Sequence, residues 1–209
     1  MLAHVSAIVA ATDLPVNADF GNGFAHDPVH VATNVAACVA TGVAGLSIED
    51  ATGQASQPLY EFSVAVERVK AARAAIDRSG APVLLTARAE CYLTGHPEPF
   101  TESIRRLQAY AQAGADVLYA PGVSKREEMR AIVSAVAPRP VNMLVSSADL
   151  GLRVSDLAEM GVRRISVGSS LARVAWTAFI HCAREIAENG SFGGFSGLMP
   201  FHEINALFK

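Results

Sequence analysis

Six times along this 209-residue chain a short apolar strand gives way to a helix, and that alternation restricts the fold more than any other feature. Strands are predicted at about 15–19, 45–49, 82–88, 116–120, 140–144 and 164–167. Helical spacing of apolar residues marks segments at about 29–41, 63–78, 101–113, 124–136, 154–160 and 170–188, with a last helix at about 200–208. The chain also opens in a helix, because Leu2, Val5, Ile8 and Val9 recur at helical spacing. Asp27 and Pro28 form a start signal for the second helix, and Gly42, Gly80 and Gly114 stand where helices should stop. Strand–helix alternation of this kind builds right-handed βαβ units around a parallel sheet. No GxGxxG lies at a strand-to-helix turn, so a dinucleotide-binding sheet is disfavoured and a TIM (β/α)8-type barrel is predicted. Six units stand where eight are needed. The expectation is a single barrel domain over 1–209 that lacks about the first two βα units.

Composition narrows the function classes. Apolar residues make up 51% of the chain and charged ones 18%, enough for a sizeable core. A net charge of -3 gives no reason to expect nucleic acid or an anionic membrane surface as partner. No apolar run approaches the roughly twenty residues of a membrane span, and the N-terminus lacks the basic flank and apolar core of a signal peptide. Cys38, Cys91 and Cys182 match neither a disulfide framework nor a CxxC metal site, which predicts a reducing cytoplasm.

The strand ends carry the chemistry. The first ends in Asn17-Ala18-Asp19, the second in Glu49-Asp50, the third in Arg88 followed by Glu90, and Asn142 lies in the fifth. Barrel enzymes build their sites at this end of the strands. Carboxylate oxygens with retained waters suit Mg2+ or Mn2+, and the planar fork of Arg88 suits a carboxylate or phosphonate. The competing expectation is a structural ion pair of Arg88 with Glu90 or Glu49. His26 and His96 fall in rim loops, as an acid or base or as solvated histidines without an identifiable partner. Cys91 either lines the pocket or is a small buried thiol. Gly168, Ser169 and Ser170 open a helix as a phosphate site or an ordinary cap.

The segments Leu14–Asp19, Leu46–Asp50, Leu85–Glu90, Gly114–Pro121, Pro140–Asn142 and Gly161–Gly168 together resemble the isocitrate lyase/phosphoenolpyruvate mutase superfamily. The resemblance implies a (β/α)8 barrel, a homo-oligomer (dimer or tetramer), and a C-terminal helix at about 200–208 exchanged between subunits. It also implies Mg2+ (or Mn2+) held by Asp19 and Glu49, catalytic roles for Arg88 and Glu90, and substrate contacts from Arg88, Asn142 and Asn17. The expected activity is Mg2+-dependent cleavage of a C–C bond in a small 2-oxo or 2-hydroxy di- or tricarboxylate, through an enolate-type intermediate. The alternatives are a non-catalytic or truncated barrel remnant and a phosphonate-metabolising phosphomutase. Two departures stand out. Asn17 replaces an expected Asp, and Ala51–Leu59 replaces a loop that carries Lys, Cys and His in the true lyases.

Overall fold

The computed structural model describes residues 1–208, which form two compact units, one spanning Met1–Ser166 and a second starting at Val167. The first unit holds α1 (Leu2–Ala10), β1 (Asn17–Asp19), α2 (Pro28–Val39), β2 (Gly45–Glu49), α3 (Phe62–Ser79) and β3 (Leu84–Arg88). It continues through α4 (Pro99–Gln112), β4 (Val117–Tyr119), α5 (Arg126–Val136), β5 (Val141–Leu144), α6 (Val154–Glu159) and β6 (Arg164–Ser166). All six strands pair in parallel and in chain order, β1 to β6. The sheet therefore curls as a half-barrel with its connecting helices on one side, as the unbroken alternation predicts.

Local chemistry explains where the elements stop. β1 and β3 each start two residues later than expected, after Pro15 and Pro82, which have no N–H to give a ladder. Asp27 caps α2 by accepting the His30 N–H at 3.0 Å, with Pro28 at the first helical position. α3 ends at Gly80, whose φ of +70° closes the helix in a left-handed conformation that favours glycine.

Successive strand residues alternate faces. Leu46, Ile48, Leu85, Ala87, Leu118, Val141 and Met143 are buried toward the helices, where Val31, Val35, Val69, Ile76, Leu107 and Ile132 meet them. The other face is polar. It carries Asp19, Ser47, Glu49, Thr86, Arg88, Tyr119, Asn142, Arg164 and Ser166. The same two-residue period that builds the core thus gathers the functional candidates on the concave side.

The second unit contains α7 (Ser170–Asn189), a 3-10 turn (Gly193–Phe195) and α8 (Phe201–Ala206). Glu185 ties the glycine segment to α7 by accepting from Ser191 Oγ at 2.6 Å and from the Gly193 and Gly194 N–H groups at 2.8 Å each. The unit leaves Leu171, Val174, Trp176 and Phe179 of α7 exposed. Among the described residues no helix is long and apolar enough to cross a membrane.

Candidate active site at the strand ends

Arg88 is the centre of the site. Its Nη1 donates to both Asp19 oxygens at 2.9 and 3.1 Å, its Nε to Glu90 Oε1 at 2.8 Å, and its Nη2 lies 3.4 Å from Glu49 Oε2. One guanidinium thus serves three carboxylates from three neighbouring strand ends. Both ion pairs expected as the structural alternative are present, and Asp19 joins them. The cluster is graded toward solvent: the Glu90 side chain is 5% exposed, Arg88 14%, Glu49 23% and Asp19 73%. Burying a carboxylate disfavours its charge. Burial accordingly pushes the Glu90 carboxyl up to about 7, against the pull of Arg88. Burial also raises Glu49, with Arg88 opposing and the charges of Asp19 and Asp50 adding to the rise. For Arg88 burial works against the charge, but Glu90, Asp19 and Glu49 outweigh it and the net shift is upward.

Asp50 does not join this cluster, although it follows Glu49 directly. Facing the helices and 3% exposed, it accepts from Tyr110 Oη at 2.6 Å, Arg106 Nη1 at 3.0 Å and the Glu90 N–H at 2.8 Å. Its work is to hold the backbone of Glu90, and through it the arm of the cluster. Arg106 and Tyr110 lie on one face of α4, four residues apart. An arginine and a tyrosine at helical spacing in an amphipathic helix were the available sign of a buried carboxylate partner.

The remaining candidates fall as follows. Asn17 sits one step below Asp19, its side-chain oxygen over Gly45, outside the groups that touch Arg88. Asn142 is 1% exposed with both ends engaged, donating to Ser166 Oγ at 2.9 Å and accepting from Arg164 Nε at 3.0 Å. His26 has a partner that sequence did not reveal: its Nδ1 shares a 2.6 Å hydrogen bond with Tyr60 Oη, which also accepts from Asn22 Nδ2 at 3.1 Å. His96 Nδ1 accepts the Glu98 N–H at 3.2 Å within its own loop. Cys91 is fully buried, and burial pushes its thiol up to about 11. Ser169 caps α7 in the second unit without a side-chain hydrogen bond to the helix.

Two loops frame the cluster. Arg68 of α3, 1% exposed, donates to the carbonyls of Asn22, Ala25 and His26 and so holds the β1–α2 loop. Its guanidinium carbon lies 4.0 Å from the centre of the Tyr60 ring. The loop after Asp50 folds back on itself through an Ala51–Leu59 bridge, the Thr52 N–H to the Pro58 carbonyl at 2.9 Å and the Thr52 hydroxyl to the Gln57 carbonyl. From Ala51 to Leu59 the chain holds no Lys, Cys, His, Asp or Glu, so this loop brings no thiol and no ready proton carrier.

Among the described residues no group of three His, Cys, Asp or Glu side chains forms a ready-made metal cage. The donor chemistry still suits a hard cation. Mg2+ keeps most of its waters and is commonly held by one or two carboxylates. Asp19 and Glu49 offer two carboxylates on adjacent strands, and three acidic groups face a single guanidinium.

Comparison with known proteins agrees with this fold. A Burkholderia cenocepacia J2315 structure described as a candidate lyase or mutase superposes with a TM-score of 0.94 at 43% identity, covering 100% of this chain and 74% of its own. An oxaloacetate decarboxylase of Rhodopseudomonas palustris (strain ATCC BAA-98 / CGA009) is 31% identical over 196 residues, 90% of this chain and 64% of the relative. A phosphonopyruvate hydrolase solved with oxalate and Mg2+ superposes with a TM-score of 0.82 at 27% identity, covering 99% of this chain and 72% of its own. The chain thus spans roughly two thirds to three quarters of the length of these proteins. The phosphoenolpyruvate phosphomutase family matches residues 1–187, and the chain belongs to that family within the isocitrate lyase/phosphoenolpyruvate mutase superfamily.

Proposed function

We propose that this chain is a Mg2+-dependent lyase that cleaves a C–C bond in a small 2-oxo or 2-hydroxy di- or tricarboxylate through an enolate-type intermediate. The observation that carries the reading is the surplus of acid around Arg88, three carboxylates on one guanidinium at the strand ends of a parallel barrel sheet. Asp19 and Glu49 would hold the cation, which, when bound, supplies Lewis-acid polarisation of the 2-oxo group. With those carboxylates on a cation, the Arg88 fork would be free for the carboxylate beside the 2-oxo group or for developing negative charge. Glu90, with a carboxyl near 7, keeps Arg88 aimed and can take or return a proton close to neutral pH. The oxaloacetate decarboxylase relative and the oxalate- and Mg2+-bound phosphonopyruvate hydrolase support this choice of substrate class and metal.

A second reading rests on the loop after Asp50, which offers no titratable side chain. A protein lacking a proton carrier there would bind the ligand without turning it over. Isothermal titration of Mg2+ with and without oxalate, a planar mimic of an enolate, tests the primary reading. Oxalate-dependent Mg2+ binding that is lost in D19N and E49Q is expected, and absence of any such binding overturns the proposal. Oxaloacetate decarboxylation by the same preparation then separates the lyase from the binding protein.

A further inference from the structure

Arg164 is a cation inside the half-barrel with no acid beside it. It enters the concave face from β6, and its hydrogen-bond partners there are neutral: Nε donates to Asn142 Oδ1 at 3.0 Å and Nη2 to Thr86 Oγ1 at 3.0 Å. No Asp or Glu among the described residues pairs with it, and burial works against its charge. A guanidinium has five N–H donors, so these bonds leave most of its outer edge unused. Half-buried cations are commonly matched by a carboxylate or phosphate. The contrast with Arg88, which has three acids, is the informative point.

Register ties the two arginines together. Glu49 pairs with Arg88, Arg88 with Tyr119, Tyr119 with Asn142, and Asn142 with Arg164, so all five residues lie on one transverse row of the sheet. The Arg164 side chain reaches back across β5 and β4 to Thr86, which stands two residues before Arg88 on the same face. Two residues of strand rise roughly 6.6 Å, a span that a four-carbon diacid bridges. Asn142 is held between Ser166 and Arg164 and therefore acts through Arg164 as its positioning residue.

We infer that Arg164, oriented by Asn142 and Thr86, is a second anion subsite that takes the distal carboxylate of the substrate while its 2-oxo or 2-hydroxy acid end lies at Arg88. This assignment rests on the proposed function and adds to it a reason for selecting diacids over monoacids. Malate and lactate make the test, since they share a 2-hydroxy acid end and differ by the distal carboxylate. In the presence of Mg2+, wild-type protein should bind malate at least about tenfold more tightly than lactate, the effect of one charge-assisted hydrogen-bonded pair. Arg164→Met, and Arg164→Gln, which keeps donors for Thr86 and Asn142 without the charge, should abolish that preference. Both should leave oxalate affinity within about twofold, because oxalate has no distal group.

A malate preference that survives in a variant with wild-type melting behaviour overturns the subsite while leaving the proposed function standing. Equal binding of malate and lactate by the wild type overturns it whether or not the variants fold. Wild-type protein that binds no oxalate with Mg2+ overturns the proposed function, and the assignment of Arg164 falls with it.

Discussion

Glu90 shows how position alone sets a residue's behaviour. A carboxyl on a strand end next to an arginine would ordinarily be acidic, yet burial outweighs Arg88 and carries it to about 7. In the unfolded chain the group returns to the ordinary Glu range of about 4.3. Between those two values the folded state holds the extra proton, so stability falls as pH rises through the window. In the absence of divalent cation, wild-type protein should lose roughly 1–3 kcal/mol between pH 4.5 and 7.5 relative to E90Q. Paired urea titrations at the two pH values measure this difference directly. Parallel pH profiles for the two proteins would show that Glu90 is ionised throughout. Cys91 offers a simpler check at the same scale: with its thiol pushed up to about 11 and fully buried, it should resist iodoacetamide at pH 8 until the protein is unfolded.

At the scale of elements, the β1–α2 loop is held by a residue from the next helix. Three carbonyls of this loop, at Asn22, Ala25 and His26, converge on Arg68, and Phe24 between them takes a φ of +53°, a conformation costly for a bulky side chain. Arg68→Met keeps the volume but leaves the carbonyls without their donor. It should cost about 2–4 kcal/mol in urea unfolding, from lost hydrogen bonds to a buried charge. A cost below about 1 kcal/mol would mean that water replaces the guanidinium. This element also marks what sequence could and could not disclose. The strands, the helices and the acidic tips at Asp19, Glu49 and Glu90 were legible because the two-residue and 3.6-residue periods are local signals. Arg68 and Tyr60 were not, and Arg106 and Tyr110 disclosed only their helical spacing, because the partners at issue lie more than thirty residues away in sequence. Asp50 was assigned to the rim on adjacency to Glu49, whereas the strand period turns it to the opposite face. Arg164 was readable in principle: an arginine two residues before Ser166 in a strand falls on the same face as Asn142 in the neighbouring strand.

For the whole molecule, the sheet order leaves β1 and β6 each paired on one side only among the described residues. Unpaired parallel edges expose ladder groups and the apolar residues beside them. The second unit adds Trp176 and Phe179 of α7, 63% exposed each, together with Phe201 and Phe208 at 85% and 84%. The Trp176 and Phe179 rings lie 5.6 Å apart, and exposed apolar groups clustered in this way are common at subunit contacts. A parallel half-barrel and an apolar helix therefore both favour association, and the proposal is a homo-oligomer in which further copies cover these surfaces. Multi-angle light scattering on the full chain should give a mass of two or four times 21.9 kDa at micromolar concentration. Replacing Trp176 and Phe179 with Ser should lower that mass while the melting of the first unit stays near its wild-type value, since both positions lie in the second unit. A wild-type chain that elutes as a folded 21.9 kDa monomer would refute the proposal. Ligand affinity would then not depend on protein concentration, because the acids around Arg88 and the Arg164 subsite all come from one chain. An oligomer that dissociates with concomitant loss of oxalate binding would instead make association part of the site.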